Sequence, residues 1–238
     1  MKIRGILAVL FISAIVSCLA TGCLLFPDEE PTLTPDSSPT DEPGPQEPVY
    51  FEYTVDNGEV TLTRYIGTGT AVSIPEKING MPVTSVGMYC FSGAEVSISS
   101  VYIPKTVKNL GSYMCYNVAT LTDITFENPD NIEKIGYRII GNTPAEKTLL
   151  ENNGGMLTIG KFLVSLNTDG NDVIEIPNEI TEIASGAFEN VTAKEVVFHD
   201  KFENINPAEF FASSVECVRI ESKTTKLSDA EMFSDPEH

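Results

Sequence analysis

Histidine is the side chain best suited to acid–base work near neutral pH, and it occurs only at His199 and His238. Neither has a nucleophile and an orienting carboxylate at a recognisable spacing, and no HExxH, nucleophile-elbow or phosphate-loop motif is present. A glycan hydrolase would need two carboxylates facing one another across a cleft. The chain has 34 acidic residues, yet no spacing argues for a pair. Asn167, Asp169, Asn171 and Asp172 gather oxygen atoms around Gly170, a donor set that suits calcium. That loop is too short for an EF-hand and lacks its distal glutamate, so it reads as a turn between strands. Gly67-Thr68-Gly69 and Asn153-Gly154-Gly155 also read as turns rather than phosphate cradles. Cys90, Cys115 and Cys217 are odd in number and lack CxxC spacing, which points to buried thiols. The chain is therefore not read as an enzyme, and no catalytic residue, metal or cofactor is expected.

The remaining cysteines suggest covalent chemistry of another kind. Lys2 and Arg4 precede an apolar run from Gly5 to Val16, the pattern of an export signal and too short for a transmembrane helix. Leu19-Ala20-Thr21-Gly22-Cys23 then resembles the lipobox of bacterial lipoproteins, in which the cysteine is acylated and becomes the new amino terminus. Cys23 is favoured because small Gly22 precedes it and the apolar region ends just before it. Cys18 also fits, since Ile15-Val16-Ser17-Cys18 places an aliphatic residue three before the thiol. Buried acyl methylenes hold at about 0.8 kcal/mol each, so several chains would fix the protein to a membrane without spanning it. The expected location is the bacterial cell surface, lipid-anchored and facing outward.

Charge narrows the partners. With 34 acids against 15 bases the net charge is -19, which argues against a grip on phosphate backbones and hence against nucleic acid. It also repels anionic surfaces, so contact with a membrane is left to the anchor.

Residues 27–48 hold seven prolines and seven acids with no Lys or Arg. Such a segment has too little apolar surface to offset its ordering entropy. At ~3.1 Å per residue it could reach on the order of 70 Å as a spacer. The expected organisation is a signal peptide over 1–22, a tether over 23–48 and one domain over 49–238.

Within that domain an apolar-x-apolar triplet recurs at Val72-Ser73-Ile74, Val101-Tyr102-Ile103, Ile124-Thr125-Phe126, Ile174-Glu175-Ile176, Val196-Val197-Phe198 and Val218-Arg219-Ile220. First-residue spacings are 29, 23, 50, 22 and 22, so a unit of 22 to 23 residues is interrupted twice. Seven and eleven residues after Pro104 stand Gly111 and Cys115; the same offsets from Pro177 reach Ala184 and Phe188, and from His199 they reach Asn206 and Phe210. After Pro75 the pattern returns with five extra residues around Asn79-Gly80-Met81-Pro82. Each triplet reads as a short strand with its outer residues in a core and its middle residue on an open face. One such unit cannot bury its apolar side alone, so the units must stack, with six strands forming one continuous parallel sheet. The fold class is a repeat solenoid of short parallel strands, turns and short helical segments. Val60 to Tyr65 after Asn57-Gly58 reads as a hairpin capping the first coil. Met156 to Leu166 and Val173 to Ile176 read as a second hairpin around 167–172, and Ser228 as the cap of a short terminal helix.

Ile74-Pro75 with Ile78 to Gly87, and Ile176-Pro177 with Ile180 to Phe188, resemble the BspA-type (Treponema pallidum-type) leucine-rich repeat over about residues 50 to 226. Cys115 and Ile140 replace the usual aromatic, and His199 and Glu127 the strand-ending proline. The resemblance implies a surface or secreted protein used in adhesion and protein binding, without catalysis. The middle residues Ser73, Tyr102, Thr125, Glu175, Val197 and Arg219 would form an exposed row, the surface that solenoids commonly use for binding. Tyr102, Val197 and Arg219 are the leading candidates to contact a protein or glycan partner, with Thr125 and Glu175 beside them. The domain is read as a monomer. The competing expectation is a structural envelope component that self-associates or packs with another lipoprotein.

Overall fold

A three-residue apolar alternation makes a strand only when neighbours supply its ladder, and here each triplet finds its neighbours one coil away. In the computed structural model, which describes residues 50–94, 97–167, 173–202, 204–210, 213–221 and 226–227, the strands Ala71–Ser73, Ser100–Ile103 and Asp123–Phe126 pair in parallel, in that order. Val173–Glu175, Thr192–Phe198 and Ser214–Ile220 form a second parallel set. Outer triplet residues such as Val72, Ile74, Val101, Ile103, Ile174, Ile176, Val196 and Phe198 are buried. The expected single six-stranded sheet is therefore two sheets of three. Among the described residues of the 50-residue gap between triplets, the strands pair in other sheets and none joins the two sets.

A second ladder runs along the coils, several of its strands only two residues long. Met81–Val86, Asn109–Leu110 and Lys134–Ile135 pair in parallel, with Glu59–Tyr65 alongside Met81–Val86. Phe162–Leu166 pairs with Glu182–Ile183, and Asn204–Ile205 with Lys226–Leu227. The first-coil hairpin is present: Phe51–Asp56 runs antiparallel to Glu59–Tyr65. Asn57 and Gly58 close it at φ 50 and 80, the left-handed pair that a two-residue hairpin turn demands. The five residues inserted after Pro75 make a smaller hairpin, Lys77–Ile78 against Met81 and Pro82.

The second hairpin lies elsewhere than expected. Met156–Ile159 pairs antiparallel with Phe162–Leu166 across Gly160-Lys161, while Val173–Glu175 joins the triplet ladder instead. Asn167 is exposed just after the hairpin, and 168–172 lie outside the described residues. Ahead of this hairpin the chain forms helix α1, Pro144–Asn152. Thr143 caps it, accepting from Glu146 N at 3.1 Å, while the Glu146 carboxylate accepts from Asn142 N at 2.9 Å. This Thr-Pro-Ala-Glu sequence satisfies two amide donors at the helix start.

Successive coils approach through a column of glycines. The amides of Gly87, Gly111 and Gly136 donate to Leu62, Val86 and Leu110 carbonyls at 2.7, 2.7 and 2.8 Å. A Cβ at Gly111 would stand 2.6 Å from the backbone of Gly87 and Met88, and one at Gly136 2.4 Å from Ser112 N. The absent side chain is thus what lets each turn nest on the one before it.

Two apolar clusters fill the interior. One gathers residues from Phe51 to Val164, including the Phe51, Tyr65 and Phe91 rings. The other gathers Leu163 to Ile205, with Phe198 packed on Phe188 and Phe202 at 6.2 and 4.8 Å. Cys115 and Ile140 fill the usual aromatic position and are fully buried. Burial pushes the Cys90 thiol up to about 12 and the Cys115 thiol well above its ordinary range. Cys217 departs from the expectation of a buried thiol: it is exposed. It pairs with Glu195 on a strand that, among the described residues, has a neighbour on one side only. Cys217 lies two residues before exposed Arg219, on the same outward side of the alternation.

Candidate binding surface

Parallel register aligns residues of successive strands, so the middle triplet positions become rows. In the first sheet Ser73, Tyr102 and Thr125 are direct neighbours. Ser73 and Thr125 are exposed, and Tyr102 is 38% exposed. Beyond this row Lys105 bridges Glu127 at 3.0 Å and Glu76 at 3.4 Å. The Lys105 backbone amide and ammonium, with the Tyr102 hydroxyl, hold the Glu127 carboxyl below its usual range. Partial desolvation and then Glu127 hold the Tyr102 hydroxyl above its own. Glu127 thus does electrostatic work where a strand-ending proline was the usual residue.

The second sheet aligns Glu175, Val197 and Arg219. Glu175 and Arg219 are exposed, but Val197 is 1% exposed and corrects the expectation of a contact residue there. Its strand is the central one of three, and Arg219 on the next strand reaches back to Glu195 at 2.9 Å, so long side chains flank the valine. Arg219 also pairs with Glu221, whose other oxygen lies 3.2 Å from His199 Nδ1. His199 therefore sits beside a surface ion pair, and among the described residues its hydrogen-bond partner is a carboxylate. Among the described residues no three His, Cys, Asp or Glu side chains are grouped to hold a metal ion. Cys18, Cys23, Asp169, Asn171, Asp172, Ser228 and His238 lie outside the described residues. Gly67 and Gly69 accommodate a tyrosine: the Tyr65 hydroxyl donates to Gly69 O at 2.9 Å, and a Cβ at Gly67 would meet that hydroxyl at 2.5 Å.

A third surface was not anticipated. Two residues after each column glycine, and after Ala184 at the corresponding position, the chain turns through a left-handed residue: Tyr89 (φ 57), Tyr113 (φ 59), Arg138 (φ 46) and Gly186 (φ 82). Four residues later a second such position holds Asn117, Asn142 and Asn190. These turns stack the tyrosines. Tyr89 and Tyr113 lie parallel with centroids 5.0 Å apart, and Tyr116 and Tyr137 each meet Tyr113 edge-on at 5.2 Å. Arg138 sits over Tyr116 at 5.2 Å and pairs with Glu189 at 3.2 Å, and the Tyr137 hydroxyl donates to the same carboxylate. That hydrogen bond, with burial, raises the Tyr137 hydroxyl above its ordinary value. The signal was available, since Tyr89, Tyr113 and Tyr137 are spaced by 24 residues each.

Among known proteins, the family described as BspA type Leucine rich repeat region matches residues 70–161 and 158–236, in six copies. Several solved structures are similar. A leucine-rich-repeat protein of T. pallidum shares 20% identity over 74% of this chain and 82% of its own, at a TM-score of 0.45. A leucine-rich cell surface protein of Faecalibacterium prausnitzii A2-165 shares 17% identity over 74% of this chain, which spans about half (54%) of that protein, at a TM-score of 0.45. A leucine-rich-repeat protein of Bacteroides capillosus ATCC 29799 shares 20% identity over 74% of this chain and 99% of its own, at 0.32. No curated protein matches.

Proposed function

The chain belongs to the BspA-type leucine-rich-repeat family, and from that premise we propose that it is a non-catalytic binding module held on the outside of a bacterial cell by a lipid. Cys23 carries the acyl chains, with Cys18 as the alternative, residues 23–48 act as the spacer, and the solenoid over 49–238 engages a protein or glycan at the cell surface. The domain acts as a monomer and does not bind nucleic acid. The observation that carries the reading is the alignment of exposed side chains of successive coils, with Tyr102 between Ser73 and Thr125. An extended row of this kind offers a partner several contacts on a rigid frame, and aromatic and Arg side chains give the largest single contributions at such surfaces. Tyr102 and Arg219 anchor the contact, Thr125 and Glu175 border it, and Val197 supports it from below.

The binding half is tested by capture of cell-surface components from host and bacterial extracts on the immobilised domain 49–238. Tyr102→Ala with Arg219→Ala is expected to weaken capture of the retained component by about tenfold or more. Unchanged capture would remove the strand rows from the account. The anchor is tested by fractionation of cells expressing the full chain. Cys23→Ser is expected to move most of the protein from the membrane to the soluble fraction, and Cys18→Ser to leave it in place. Release by Cys18→Ser instead would shift the acylated residue, and retention of the double variant would end the lipid-anchor reading.

A further inference from the structure

The tyrosine turns are more elaborate than the coils require. A left-handed backbone is costly for a bulky residue, and Gly186 shows that glycine serves the same coil position. Such backbone outliers cluster where a surface does something besides fold. Two of the four turns instead place tyrosine there, and stacking fixes the rings in advance. We propose that this turn column is a binding site for uncharged glycan chains, separate from the strand rows.

The chemistry of the column selects the ligand. Met88 and Tyr89 are 57% and 49% exposed, which leaves apolar surface and an aromatic ring open to solvent. Tyr113, one coil on, stacks on Tyr89 at 5.0 Å, and Tyr116 of that same coil meets Tyr113 edge-on at 5.2 Å, so the aromatic surface spans two coils as a chain ligand needs. Exposed Asn117 and Asn142, joined by a 2.9 Å hydrogen bond, add amide donors and acceptors beside the rings. A sugar ring offers the complement: C–H faces for aromatic contact and hydroxyls for amides. Among the described residues the cation within the column is Arg138, which is occupied by Glu189 and by the Tyr116 ring. An anionic ligand would find no available counter-charge there and would meet a chain of net charge -19. Proteins that dock through charge complementarity are disfavoured for the same reason.

The test uses the detergent-solubilised full chain titrated with neutral oligosaccharides (β-glucan, mannan, galactan and chitin fragments), with heparin and hyaluronan fragments as anionic probes. The chain has eight tyrosines and no tryptophan, so tyrosine fluorescence reports binding without a tryptophan background, and the variants below assign the change to the column. At least one neutral probe is expected to bind and change that fluorescence. Tyr89→Asn removes the ring while suiting the left-handed backbone, and Tyr116→Ala removes the second ring. Each is expected to weaken binding roughly tenfold, with Cys90 and Cys115 still protected from thiol reagents as a check of folding. Lys147→Ala, on the exposed face of α1, is expected to leave binding unchanged. Binding of the anionic probes alone, no neutral probe binding, or affinities indifferent to both tyrosine variants would each overturn the proposal. The capture experiment on the strand rows would be unaffected by such a failure.

Discussion

Gly111→Ala is expected to lower the thermal midpoint of the solenoid by roughly 6–12 °C. The new methyl would stand 2.6 Å from the backbone of Gly87 and Met88, with the Val86 carbonyl oxygen at 2.9 Å. None of these atoms can swing aside as a side-chain end could, so two coils must part. Overpacking of this kind costs about 3 kcal/mol, and in a domain of this size each kcal/mol moves the midpoint by about 2–4 °C. The φ of Gly111 is ordinary, so the loss isolates the contact between coils. Gly154→Ala is the complementary control: its Cβ would meet nothing within 4 Å, but its φ is +64, and it should cost about 1–2 kcal/mol from the backbone alone. Calorimetry of the three proteins checks the order. Alanine takes the corresponding position at Ala184 in a later unit. Its amide donates to Leu163 O at 2.8 Å, on the hairpin strand Phe162–Leu166.

Phe198→Ala is expected to cost about 3–5 kcal/mol, the range for a fully buried aromatic. Its ring holds the second core together, with Phe188, Phe202 and Phe210 at 6.2, 4.8 and 6.1 Å. Coils contact mainly their neighbours, so damage should be greatest locally. At temperatures just below the midpoint, Phe198→Ala should leave Cys90 and Cys115 protected in the first core, whereas Gly111→Ala should expose them early. Timed thiol labelling separates the two cases. Simultaneous exposure in both variants would mean that the two cores unfold as one.

The triplets and offsets were legible because each is a side-chain pattern with a long repeat, and they located buried residues in both triplet sheets, though in the last triplet Val218 is exposed and Ile220 half-buried. Val197 was misplaced because alternation gives the side of a strand and not what covers that side. Cys217 was misplaced for a related reason: its burial depends on phase within an edge strand. The second ladder escaped notice because strands of two residues, such as Asn109–Leu110, have no period to detect. The Thr143-Pro144-Ala145-Glu146 cap was present in the sequence, yet no long amphipathic run followed it to announce a helix. The tyrosine column was legible only as a 24-residue spacing, whose meaning depends on coils stacking in register. The hairpin at Gly160-Lys161 was displaced because 167–172 carries the denser cluster of turn residues.

The central claim is that exposed rows on this solenoid bind a surface partner. It is tested most directly by titrating the domain 49–238 against the component it captures, comparing wild type with the Tyr102→Ala, Arg219→Ala protein at equal folded fraction. The account predicts saturable one-to-one binding by a monomeric domain, weakened by about tenfold or more in the double variant. Equal affinity in the two proteins, or a domain that only self-associates and captures nothing, would contradict it.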